Sequence, residues 1–161
     1  MHDRSKVSRF YGVAGICLLY GALAIGVVAT ARHSWTYAAV GIAISALWVV
    51  PVAWFYCAKC CCRLDCGHVL LGLITRILPR RKAGAYTLVD GLFTLLPILA
   101  AVGYPQFWLA KEIPLLIAFW GLVAVAGAGV PFFVCSECTN AACPFNRAEA
   151  SAEAGAPSAS H

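Results

Sequence analysis

Eight of the nine cysteines of this chain fall in two short segments, 57–66 and 135–143. Each segment begins with a C-x2-C pair and has another cysteine five or six residues after that pair, so that the recurring positions are Cys57, Cys60, Cys66 and Cys135, Cys138, Cys143. The first segment also contains Cys61 and Cys62. Two thiolates on one tight turn can bind the same metal ion, and two such pairs complete a tetrahedral four-sulfur shell. The spacing therefore predicts a metal site to which both segments contribute.

The ligands divide into a first set and a supplementary set. We expect the two C-x2-C pairs to form the first site, with ligands Cys57, Cys60, Cys135 and Cys138. The supplementary ligands, for a second ion or for a binuclear thiolate cluster, are Cys66, Cys143, His68 and one of the adjacent Cys61 and Cys62. Neighbouring basic residues such as Lys59 and Arg63 favour the thiolate form and offset the charge of such a site.

Several uses of these cysteines remain open. A structural zinc ion is the favoured occupant, because closed four-cysteine shells are common in reducing compartments. An iron–sulfur cluster is the first alternative, since Cys143-Pro144 has the order in which ferredoxin motifs end. Thiol redox chemistry or soft-metal handling is another, because Cys60, Cys61 and Cys62 are adjacent. Cysteines at a membrane edge can also bind no metal, or be acylated. Cys17, alone in an apolar segment, is expected to pack as a small hydrophobic residue.

Asp90 is the other residue that could carry chemistry. It is expected about one turn inside an apolar segment, where an acid is a candidate functional group. Alternatively it reaches water or pairs with Arg81 or Lys82. The sequence contains no Gly-rich phosphate loop, no serine–histidine–acid set and no H-E-x-x-H helix, so we expect no enzymatic activity.

The elements that position these residues are predicted to be membrane-spanning helices. Hydrophobic residues make up 61% of the 161 positions and charged residues only 12%, against roughly 25% charged in soluble domains. Four apolar segments have the length of about 20 residues that a spanning helix needs, at about 10–30, 35–56, 85–104 and 113–134. The predicted fold is an all-α integral membrane protein, a four-helix bundle made of two helical hairpins.

The basic residues predict how these spans are oriented. Ten of the 12 Lys and Arg residues precede the first span, lie between the second and third, or follow the fourth, and the other side has only Arg32 and Lys111. This bias places both termini and both cysteine segments in the cytoplasm, with the bundle in the cell (inner) membrane. Because the basic residues sit between apolar segments, they read as orientation signals, and nucleic acid is not an expected partner.

Two further segments complete the predicted organisation. Residues 69–78 are apolar but too short to span, and they precede the basic residues 80–82. We expect a short helix that lies in the membrane interface or, as an alternative, packs on the bundle. Residues 1–147 are assigned to the membrane domain, and the Ala/Ser/Glu-rich tail 148–161 is expected to be disordered.

The function predicted from these features is non-enzymatic. A metal-organised cap would hold the two hairpins together beneath the bilayer and present a basic cytoplasmic surface to a partner protein or to anionic lipid. A homo-oligomer is compatible with the pattern. The alternatives are a redox protein serving a membrane electron carrier and a protein that handles or transports a soft metal ion.

Overall fold

The structure, a computed structural model, describes residues 2–60, 69–82, 86–129 and 132–133. Within these ranges the regular secondary structure is entirely helical, which confirms the predicted all-α class for this part of the chain. The α-helices are α1 (His2–Ala31), α2 (Trp35–Leu47), α3 (Val49–Phe55), α4 (Val69–Ile77), α5 (Leu88–Gly103), α6 (Gln106–Leu109) and α7 (Ile113–Gly129). A single 3-10 turn, Cys57–Lys59, follows α3.

Among the residues that the structure describes, three helical segments are long and apolar enough to cross a membrane: Arg9–Ala31, Trp35–Lys59 and Leu88–Leu109. The shorter α7 is also apolar over its 17 residues. Large apolar side chains are exposed along all of these segments, among them Phe10, Leu47, Leu96 and Ile117. An exposed apolar surface of this extent is one that lipid covers. The predicted membrane character is therefore supported by three segments of spanning length.

Within the spanning segment Trp35–Lys59, α2 ends at Leu47 and α3 begins at Val49, with Trp48 between them. Pro51 has no N–H group and so cannot donate to the carbonyl of Leu47, the residue at which α2 ends. Trp48 itself keeps right-handed helical backbone angles, with φ −56° and ψ −30°. Pro97, by contrast, lies inside the continuous helix α5.

Helices α1 and α7 pack side by side in opposite directions. The Tyr11 ring stacks on Phe133 at 4.0 Å, and Arg32 forms an ion pair with Glu112. The start of α1 therefore lies beside the residues that follow α7, and the end of α1 lies beside the residues that precede it. A close approach occurs at Gly26 of α1, where a Cβ atom would lie 2.9 Å from the ring of Pro105. Only glycine fits this position without a shift of the neighbouring chain.

The α2–α3 segment packs against α5, also antiparallel. At one end the hydroxyl of Tyr104 donates to the carbonyl of Tyr37 over 2.9 Å. At the other end the rings of Phe55 and Phe93 stack at 4.7 Å. These contacts define two ends of the bundle. The cysteine end carries Cys57 and the start of α5, and the Glu112 end carries the α1–α2 turn and the residues that precede α7.

Helix α4 packs on the bundle. Leu71 is buried in a core cluster with α1 and α3 residues such as Leu23 and Val52, and Ile74 lies against the same cluster. Thr75 is fully buried and donates to the carbonyl of Gly72 over 2.9 Å. Helix α4 therefore packs on the bundle, as the alternative prediction states. The position of α4 relative to the membrane interface stays a prediction. The predicted tail 148–161 lies outside the described residues.

Candidate functional site

The first C-x2-C pair lies on a tight turn at the cysteine end. Helix α3 ends at Phe55, and the amide of Cys60 donates to the carbonyl of Cys57 over 3.1 Å, which closes the 3-10 turn. Both cysteines are half-buried, and Cys57 packs against the core cluster that contains Val52 and Leu71. The turn thus holds the two thiols at one end of a packed helix.

The remaining predicted ligands are not among the described residues. These are Cys61, Cys62, Cys66, His68, Cys135, Cys138 and Cys143. In the described ranges, no three His, Cys, Asp or Glu side chains come together as a metal site. Cys17 is exposed on α1, where lipid would meet it.

The described part of the cysteine end is organised around Asp90, whose side chain is 1% exposed. Lys59, inside the C-x2-C turn, donates to Asp90 Oδ2 over 2.7 Å, and Arg81 donates to Oδ1 over 2.8 Å. A buried carboxylate is strongly unfavourable unless it is paired and hydrogen-bonded. We call Asp90, Lys59, Arg81 and Thr87 the Asp90 cluster. The sequence suggested Arg81 or Lys82 as partners, and the structure pairs Asp90 with Arg81 and Lys59.

Thr87 joins this cluster as the N-cap of α5. Its hydroxyl accepts from the Asp90 amide at 3.3 Å and donates to Asp90 Oδ2 over 2.9 Å. The Thr87 amide donates to the same carboxylate oxygen over 3.0 Å. This reciprocal arrangement is a capping box, in which side chains satisfy amides that the first helical turn leaves without partners. It also explains why α5 begins at Leu88, three residues later than the predicted start of the third span.

Backbone contacts tie the segment after α4 to the cysteine turn. The Arg81 amide donates to the carbonyl of Ala58 over 3.3 Å, and its guanidinium reaches the carbonyl of Phe55 at 3.4 Å. Ala58 is fully buried at this junction. The C-x2-C turn is therefore held from two sides, by α5 through Lys59 and by residue 81 through its backbone.

Aromatic rings enclose the Asp90 cluster. Tyr56 and Tyr86 stack with centroids 4.5 Å apart, and the Tyr86 hydroxyl donates to the carbonyl of Tyr56 over 3.3 Å. The ammonium of Lys59 lies 5.7 Å from the Tyr86 ring, and the guanidinium of Arg81 lies 5.4 Å from the Phe55 ring. Cations near ring faces are attracted to the ring quadrupole, so the rings add a favourable contact to each cation.

The geometry assigns Asp90 a clamping role. Oδ1 accepts from Arg81, and Oδ2 accepts from Lys59 and from Thr87, so both oxygens are engaged. These hydrogen bonds join the first turn of α5 to the cysteine turn.

A small cavity lies elsewhere in the bundle, near Gly26, Gly41 and Ser45. Its volume is about 10 Å³, which leaves room for at most one water molecule.

Sequence reasoning missed two members of this cluster. Thr87 could have been found, because Thr87-Leu-Val-Asp90 has the spacing of a capping box. Lys59 could not, because it lies 31 residues from Asp90 and its position in the sequence indicates only a cation beside the cysteines.

Comparison of the chain with protein-family models, with curated proteins and with solved structures gave no match.

Proposed function

We propose that this chain is a four-span membrane protein in which the C-x2-C turns of two hairpins bind one metal ion, with zinc favoured, at the cysteine end. The observation that carries the proposal is the Cys57–Cys60 turn, which is bonded to Asp90 through Lys59 at the bundle end toward which α7 runs. The metal would join the second and fourth spans. Its role is structural, and no catalytic step is assigned to it.

The contacts between α1 and α7 support the fourth span. The Arg32–Glu112 and Tyr11–Phe133 contacts enclose equal lengths of chain, residues 11–32 and 112–133. At about 1.5 Å of rise per helical residue, the α1 side of this pairing corresponds to roughly 30 Å, the thickness of the hydrocarbon core. Because α1 has spanning length, a partner that follows it from end to end would span as well.

The level of the cysteine turn supports a shared site. The rings of Tyr20 and Trp48 lie 6.4 Å apart in the antiparallel α1 and α2–α3 segments. Cys57 follows Trp48 by as many residues as Tyr11 precedes Tyr20. The turn is therefore near the level of Tyr11, on which Phe133 stacks. Cys135 comes two residues after Phe133 along the chain, which favours convergence of the two pairs.

Charge supports a cytoplasmic position for the cysteine end. Among the described basic residues, those at or near this end are Arg9, Lys59, Arg76, Arg80, Arg81 and Lys82, whereas Arg32 and Lys111 lie at the Glu112 end. Basic residues accumulate on the cytoplasmic side of membrane proteins. In that reducing compartment cysteines remain thiols available to metal. We infer an inner-membrane protein with both termini inside.

The test is elemental analysis of the full-length protein purified anaerobically. We expect about one or two zinc ions per chain, consistent with one or two thiolate sites. Substitution of both Cys57 and Cys60 by serine should release the metal and lower the thermal stability. Cys17→Ser, which replaces an exposed cysteine of α1, is the matched control. It should change neither the metal content nor the thermal stability. Full metal content and unchanged stability in the double variant would contradict the proposal.

The same preparation distinguishes the alternative functions. Iron with inorganic sulfide and a brown colour would instead indicate an iron–sulfur redox protein. Copper or mercury bound below one equivalent and exchanging readily would indicate soft-metal handling. Either result would replace zinc while keeping the cysteine pairs as ligands.

A further inference from the structure

The outward side of α4 and of the residues that follow it combines apolar and basic side chains. We call Leu73, Arg76, Ile77, Arg80 and Lys82 the α4 basic edge. All five side chains are exposed, with Leu73 at 56% and Ile77 at 85%. The bundle side of the helix is formed by other residues, chiefly Leu71 and Thr75, which are buried. The edge therefore faces away from the protein.

The α4 basic edge consists of an apolar pair of side chains with arginines beside it. Leu73 and Ile77 are four residues apart and so lie on one side of α4, next to each other. Arg76 lies beside them in the last turn, and Arg80 comes three residues after the helix ends. Exposed branched apolar residues next to arginines are the composition of a helix that lies in a membrane interface.

The charge of the edge is not neutralised by the protein side chains that the structure describes. The described acidic side chains are Asp90 and Glu112. Asp90 is buried against Lys59 and Arg81, and Glu112 lies with Arg32 at the other end of the bundle. Arg76, Arg80 and Lys82 form no ion pair with any of the described side chains. An external anion is the complementary partner for such a group of cations.

The depth of α4 identifies the source of that anion. Through Leu71 and Ile74, α4 packs beside the last turns of α3, in the cluster that contains Val52, Ala53 and Cys57. Because these are the final residues of the spanning segment Trp35–Lys59, the edge lies at the level where hydrocarbon meets headgroups. Arginine side chains at this depth extend toward the phosphate layer while apolar side chains enter the acyl region.

We propose that the α4 basic edge binds the headgroup of an anionic phospholipid in the leaflet at the cysteine end. Arg76 and Arg80 contact the lipid phosphate, Lys82 adds charge to the site, and Leu73 and Ile77 insert between acyl chains. The inference rests on the membrane insertion proposed above and is independent of the metal.

The test is native mass spectrometry of the full-length protein in neutral detergent, titrated with phosphatidylglycerol or with phosphatidylcholine of the same acyl chains. We expect tighter binding of phosphatidylglycerol. Each basic residue near an anionic surface contributes about fivefold, so Arg76→Gln with Arg80→Gln should lower phosphatidylglycerol binding roughly 25-fold. High ionic strength should weaken binding to the wild-type protein.

A matched control removes the same charge from the other end of the bundle. Arg32→Gln with Lys111→Gln should leave phosphatidylglycerol binding unchanged, and thermal melting checks that each variant is folded. Leu73→Ser with Ile77→Ser should weaken the binding of both lipids. Equal affinity of the wild-type protein for the two lipids would overturn the proposal. An equal loss in the Arg32/Lys111 control, or full displacement by soluble glycerol phosphate, would also overturn it.

Discussion

The two ends of the bundle each hold a carboxylate that pairs with arginine, but the surroundings of these carboxylates differ. At the cysteine end Asp90 is 1% exposed and accepts from Lys59, Arg81 and Thr87. At the Glu112 end the side chains of Arg32 and Glu112 are 57% and 25% exposed. Removing one partner of a buried pair leaves an uncompensated charge, whereas water compensates at an exposed pair. The comparison indicates that substitution of a charged residue destabilises the protein more at the cysteine end than at the Glu112 end.

The largest expected effect is at Asp90. Asp90→Asn leaves the facing Lys59 and Arg81 without their carboxylate, so it should lower the free energy of unfolding by about 3–5 kcal/mol. Reversible unfolding in mixed detergent micelles measures this. If the variant does not accumulate, the same conclusion follows from recovery on a second change, Lys59→Met with Arg81→Met, which removes the facing charges. A loss below about 1 kcal/mol for Asp90→Asn would show that the cluster behaves like an exposed pair.

A smaller effect is expected at the cap. Thr87→Ala removes the hydroxyl that accepts from the Asp90 amide, and loss of an N-cap side chain typically costs about 1 kcal/mol. Thr94→Ala is the control on the same helix, because its hydroxyl donates to the carbonyl of Asp90 inside the helix and supplies no cap. Equal destabilisation by the two substitutions, measured in the same unfolding assay, would remove the capping box from the comparison.

The smallest effect is expected at Glu112. Glu112→Gln makes the same carboxyl-to-amide change as Asp90→Asn, but in an exposed pair, where about 0–1 kcal/mol is at stake. Added salt should reduce the difference between wild type and variant further, because exposed charges are screened. A loss as large as that of Asp90→Asn would mean that the two ends do not differ in the way proposed.

The local features of this protein can be predicted from the order of its residues. Apolar segments of spanning length predicted the helices that begin near Arg9, Trp35 and Leu88, because every backbone amide in a bilayer must be satisfied within its own helix. Residues 69–78 predicted α4 from the same kind of local pattern. The spacing Thr87-x-x-Asp90 is that of a capping box and indicates the start of α5, whereas the apolar pattern alone predicts a span that begins at residue 85.

Which charged side chains pair with each other depends on how the helices pack. Lys59 and Asp90 are 31 residues apart and Arg32 and Glu112 are 80 apart, and no periodic pattern in the chain links either pair. Their pairing follows from the antiparallel packing of α3 on α5 and of α1 on α7. A hydrophobic pattern reports which residues leave water, but it does not report which buried polar groups face one another. For that reason Asp90 reads as an isolated intramembrane acid in the sequence and as the centre of a clamp in the fold.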